Sequence, residues 1–107
     1  MNVKYRGELV LKEDLRHIAD NYILTKHAKQ KILERHPDLN VRDSILNNVI
    51  AYYNTDGSIN CAINEYEYLV IGTDRKPYRI ITFKEKSWNS INIFEKQRLA
   101  QCGFSRN

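Results

Sequence analysis

The residues best equipped for chemistry in this chain lie between Thr25 and Leu39, in the run TKHAKQKILERHPDL. His27, Lys31 and Arg35 recur every four residues, so a helix over this run lines them along one stripe, with Glu34 beside it. An imidazole, an ammonium and a guanidinium on one stripe suit proton transfer next to an anionic phosphate. Histidine exchanges protons near neutral pH, and fixed cations stabilise negative charge as it develops. A second histidine, His36, stands against Pro37, which drives its predecessor out of helical geometry and so ends the helix there. Anchoring that helix end is the first reading of His36, and proton transfer the second. The plainer reading of Lys31 and Glu34 is a surface ion pair worth ~0.3 kcal/mol.

Something must hold that stripe in place. Leu24, Ala28 and Ile32 form an adjoining apolar stripe, and packing it on a sheet sets His27 and Lys31 at the groove where helix and sheet meet. The expectation is that His27, Lys31, Arg35, Thr82 and Lys84 gather around one phosphate there. Upstream, Val3–Leu11 reads as a strand or extended arm, and Glu13–Asn21 as a helix with Leu15, Ile18 and Ala19 on one side. Thr25 caps the central helix, which runs through Arg35 or His36. Asp43 or Ser44 caps another that runs to about Tyr52, with Ile45, Leu46, Val49 and Ile50 apolar. NTDGS at Asn54–Ser58 signals a turn.

Three strands follow, Ser58–Ile63, Tyr66–Thr73 and Tyr78–Lys84, the last two joined by TDRKP as a hairpin. Ser90–Gln101 reads as a closing helix, with INIF inside it also readable as a strand. Strand alternation puts Leu69 with Ile71, and Ile81 with Phe83, toward the helices. It leaves Tyr66, Tyr68 and Val70, and likewise Tyr78, Ile80, Thr82 and Lys84, for an open face. The result is an α+β domain: N-terminal helices on a curved antiparallel sheet of three to four strands, with a C-terminal helix.

A length of 107 residues fits one domain with a modest core. With 42% apolar and 28% charged residues the composition is that of a soluble globular protein rather than a disordered tail. No apolar run approaches a membrane span and MNVKYRGELV lacks a signal-peptide core, so a cytoplasmic location and no membrane partner are expected. The net charge of +4 is unevenly spread. Leu24–Arg42 carries five Lys/Arg against two acids, and Arg75–Lys86 five against one. Basic side chains interleaved with tyrosines suit a polyphosphate chain carrying bases. Cys61 and Cys102 read as two reduced thiols. His17, His27 and His36 lack the spacing of a zinc site; no nucleophile elbow or glycine-rich phosphate loop is present. No metal and no cofactor are expected.

Three segments, YILTKHAKQKILERHPDL, YEYLVIG and RIITFKEK, together resemble small prophage-encoded nuclease-like domains of the barnase–EndoU–colicin E5/D–RelE (BECR) group. The order of a T-x-H…I-x-x-R-H-P helix, an LVI strand and an IITF strand spans about Tyr22–Lys86. The T-x-HA…R opening is also similar to DUF4258-type small proteins. The resemblance implies a metal-independent endoribonuclease, toxin-like, in which the 2′-hydroxyl of RNA attacks its own phosphate and leaves a 2′,3′-cyclic phosphate. It implies His27, Arg35, His36 and Thr82 as catalytic positions; Lys31 is added from the helical stripe. Lys26, Tyr66, Tyr68, Tyr78 and Lys84 are the candidate RNA contacts. The partners implied are tRNA, mRNA or rRNA, and an antitoxin or immunity protein with an acidic surface. Members of the group vary their catalytic residues, so two alternatives stand beside the enzyme: a phage-derived inhibitor on a nuclease-like scaffold, and a nucleic-acid-binding protein without turnover.

Overall fold

A computed structural model of the chain describes residues 7–85. The expected closing helix, Cys102 and the first residues of the N-terminal arm lie outside them. The first helix, α1 (Lys12–Asp20), buries Leu15, Ile18 and Ala19, and its first turn carries Glu13 and Asp14 where the helix dipole favours acids. β1 (Tyr22–Leu24) follows, then α2 (Lys26–Arg35), then α3 (Val41–Leu46). Asn40, not Asp43 or Ser44, caps α3: its side chain accepts from the Asp43 N–H at 3.0 Å. Four strands complete the domain, β2 (Ile50–Tyr53), β3 (Ile59–Ala62), β4 (Glu67–Gly72) and β5 (Tyr78–Glu85).

The α+β class matches the sequence reading, but the sheet is larger and mixed. It has five strands in the order β1-β5-β4-β3-β2, with β1 parallel to β5 and every other pair antiparallel. Two of the five arise where the sequence pattern suggested none. The helix expected to reach Tyr52 stops at Leu46, because Asn47 and Asn48 favour turn geometry over helix. IAYY beyond it is β-branched and aromatic and pairs with β3 as an edge strand. The outer side of β2 is partly covered by the segment before α1, with Val10 N–H donating to the Ala51 carbonyl at 3.0 Å and Tyr53 N–H to Glu8 at 2.9 Å.

All three helices pack on one face of the sheet, over Ala51, Tyr53, Cys61, Leu69, Ile71, Ile80 and Phe83. The pairing of β4 with β5 slips at Val70/Ile71, so that Val70 opposes Thr82 but Ile71 opposes Ile80. Ile81 is the extra residue of this bulge, and one extra residue reverses the alternation. Ile80 and Phe83, three apart, therefore both enter the core, while Ile81 stays 37% exposed. The expected pairing of Ile81 with Phe83 on the core face is corrected accordingly. Tyr78 also turns toward the core cluster instead of an open face. On the opposite face Ile50 and Tyr52 form a second buried cluster with Val49 and Ala62 against them.

Candidate functional site

α2 is fastened to β5 at both ends. At its start the Thr25 side chain accepts from the Ala28 N–H at 3.1 Å and directs its own hydrogen toward the carbonyls of Ile80 and Ile81, at 3.0 and 2.8 Å. The Thr25 N–H also reaches the Ile80 carbonyl, at 3.1 Å. Ala28 and Ile32 then bury the inner stripe. At the other end Arg35 Nη1 donates to the Phe83 carbonyl at 3.0 Å and Nε lies 3.2 Å from Glu85 Oε1. β1 pairs β5 only as far as Ile80, so Thr25 and Arg35 supply donors to the stretch of β5 beyond the end of β1.

His36 leaves the helix at its C-cap, its N–H bonded to Ile32 O at 2.7 Å. Its Nε2 lies 2.7 Å from Glu67 Oε1. A carboxylate only accepts, so Nε2 carries the hydrogen and Nδ1 of the neutral ring keeps its lone pair. Glu67 is held in turn: Asn64 Nδ2 donates to the same Oε1 at 2.7 Å. The Asn64 side-chain oxygen accepts from the backbone N–H of Tyr66 and Glu67, at 2.8 and 2.9 Å. The Phe83 ring meets the imidazole edge-on, with centroids 6.0 Å apart. The Glu67 side chain is only 12% exposed, whereas His36 is 46% exposed. His36, Asn64, Glu65, Tyr66, Glu67 and Glu85 line an open groove of about 480 Å³. An imidazole oriented by a largely enclosed carboxylate beside an open groove is equipped to act as a general base.

The residues singled out in the sequence do not share one pocket. His36 and Tyr66 line the groove, and Arg35 touches its Glu85 from outside. His27 sits near the other end of α2, ~13 Å away by helical rise, exposed and without a hydrogen bond or ion pair to any described residue. Lys31 lies between them, 3.8 Å from Glu34. Thr82 and Lys84 oppose Val70 and Tyr68 across the ladder, on the sheet face turned away from α2. Thr82 is moreover 7% exposed. The single anion pocket expected from His27, Lys31, Arg35, Thr82 and Lys84 is thus divided between the two faces of the sheet. Lys26 is exposed in the first turn of α2, which has no acidic residue. Cations at that end oppose the helix dipole by ~0.3–1 kcal/mol each and concentrate positive potential there.

Asn64, Glu65, Glu67 and Glu85 are the groove residues that the sequence reading missed. The Asn64-x-x-Glu67 spacing is a legible side-chain turn, but His36 and Glu67, 31 positions apart, share no local signal. Among the described residues no group of histidines, cysteines and carboxylates could hold a metal ion, and no helix is long and apolar enough to cross a membrane. Compared with known proteins, the chain matches no family model, no curated protein and no solved structure.

Proposed function

We propose that this chain acts on RNA as a metal-independent endoribonuclease of the BECR kind, with His36 rather than His27 as the proton-transfer group. The observation that carries the reading is the 2.7 Å contact between His36 Nε2 and Glu67 at the edge of an open groove. In this reading Nδ1 of His36 removes the 2′-hydroxyl proton, and Glu67 stabilises the imidazolium that forms. The 2′-oxygen closes on the phosphorus, the 5′-oxygen departs with a proton from solvent, and a 2′,3′-cyclic phosphate remains. Tyr66, 47% exposed at the groove, stacks a base. Lys26, His27 and Lys31 track the phosphates along α2 toward the groove.

The test is cleavage of end-labelled tRNA and total RNA in EDTA, with end-group analysis. His36→Gln can still donate to Glu67, and it is expected to lower the cleavage rate at least ~100-fold with RNA affinity retained. His27→Ala is expected to weaken RNA binding slightly while cleaving at near the normal rate when RNA is saturating. Undiminished cleavage by folded His36→Gln would refute the assignment.

A second reading has its own observation. Arg35 is turned to the Phe83 carbonyl and to Glu85, and Glu65, Glu67 and Glu85 line the groove itself. Three carboxylates beside the imidazole oppose a phosphate in the groove, which favours a scaffold without turnover. Salt-sensitive RNA binding with no cleavage by the wild-type protein would select it. A stoichiometric complex with another protein, indifferent to His36→Gln, would instead select an inhibitor on this scaffold.

A further inference from the structure

A second groove, also about 480 Å³, opens where α1, the end of α3 and the outer side of β2 meet. Val10, Leu15 and Ile50 form its buried floor, while Leu9 and Leu46 remain 42% and 37% exposed along it. Lys12 and Arg16 stand on its rim, one helical turn apart. Both are exposed, and neither makes an ion pair with a described residue. Exposed leucines over an apolar floor mark a contact surface, and the volume falls within the range of sites that seat ligand groups. The two unpaired cations define the sign of what binds. A second copy is a poor occupant, because an isologous pairing would bring the same two cations to both sides of the interface. RNA is a poor occupant too, since no aromatic ring lines the groove and the amide of Asn48, its one neutral polar side chain, already donates to the Ile45 carbonyl at 2.7 Å.

We propose that this groove docks an acidic amphipathic helix of a partner protein. Its leucine-type side chains fill the groove, and two carboxylates one turn apart meet Lys12 and Arg16, as side chains four residues apart on facing helices do. This surface is separate from the His36 groove, and the proposal does not depend on RNA cleavage.

The probe is a synthetic stapled helix with leucines at i, i+4 and i+7 flanked by glutamates, and the same peptide with lysines for glutamates. Fluorescence anisotropy with the full chain is expected to give saturable binding of the glutamate peptide at micromolar Kd, with the lysine peptide at least ~10-fold weaker. The double reversal Lys12→Glu/Arg16→Glu should invert that order, Leu46→Asp should abolish binding, and Lys76→Glu, remote on the β4–β5 connection, should leave it unchanged. Equal binding of both peptides, an order that survives the double reversal, or no saturation by ~1 mM would overturn the proposal. So would a photo-crosslinker at position 46 that joins the groove to residues 1–6 or 86–107 of the same chain, or to a second copy.

Discussion

Replacing Arg35 by alanine separates its structural work from any work on phosphate. Its Nη1 donates to the Phe83 carbonyl at 3.0 Å, and the side chain is 29% exposed. A hydrogen bond from a charged donor is worth ~1.5–3 kcal/mol when buried, and partial exposure places this one near the lower end, ~1.5 kcal/mol. Glu85, the other partner, is 62% exposed, so solvent screening reduces that pair to ~0.3 kcal/mol. The expected loss is therefore ~1.5–2 kcal/mol, read as a lower midpoint in urea at pH 7 with unchanged m, or a Tm lower by ~6–14 °C. Arg35→Lys should recover less than half, because a single ammonium does not reproduce the fork that reaches a carbonyl and a carboxylate together. Glu85→Gln alone should cost under ~0.5 kcal/mol. A loss below ~0.5 kcal/mol in Arg35→Ala, coupled to a sharp fall in RNA binding, would refute the structural account and return Arg35 to the phosphate.

Other perturbations test other parts of the fold. Phe83→Ala, which empties a fully buried core site on β5, should destabilise by ~3–5 kcal/mol in urea unfolding. Gly57 has φ +89° in the β2–β3 turn, so Gly57→Ala should cost ~1 kcal/mol by backbone strain although its Cβ would meet only Thr73 Oγ1, at 3.9 Å. Burial pushes the Cys61 thiol up to about 12. The native state therefore keeps a proton that the unfolded chain loses near pH 9.0, and stability falls as pH rises from there toward 12, by up to ~4 kcal/mol. The stability gap between wild type and Cys61→Ala should narrow between pH 8 and 11, and a constant gap would contradict the burial argument. The Asp56 carboxyl is held below its usual range by hydrogen bonds from the Ser58 side chain and backbone. Its contribution to the β2–β3 turn is present above about pH 4 and lost as pH falls, which Asp56→Asn should make visible as a flatter acid limb.

How much of this was legible in sequence depends on how local the cause was. Thr25, Ala28 and Ile32 announced α2 because a cap and an apolar stripe are written within a few residues. The strands over 59–62, 67–72 and 78–85 were bounded by turn residues and found nearly in place. β1 was invisible: three residues become a strand only through a parallel partner at Tyr78–Ile80. IAYY was absorbed into a helix because Ile45, Leu46, Val49 and Ile50 keep helical spacing, and only tertiary pairing breaks the tie. Thr82 and Lys84 keep the face that strand alternation gives them, but that face is turned away from α2, so they cannot join its basic stripe; the bulge at Ile81, which has no signature in the residue types, instead exchanges the faces of Ile80 and Ile81. His36, read first as an anchor, is tied to the sheet by Glu67, yet it is also the oriented imidazole at the groove.

β5 is the strand on which α2, β1 and β4 all depend, and it comes late in the described chain. The Thr25 hydroxyl and its Ile80 acceptor are separated by 55 residues. A nascent chain growing at roughly 5–20 residues per second therefore waits ~3–11 s between making α2 and making its seat. During that interval Ala28 and Ile32 have no surface to pack on, whereas β2, β3 and β4 can already form a meander. Folding on the ribosome should consequently begin in the middle of the sequence and close with α2 and β1 docking last, a non-local order that favours slow acquisition of the native state.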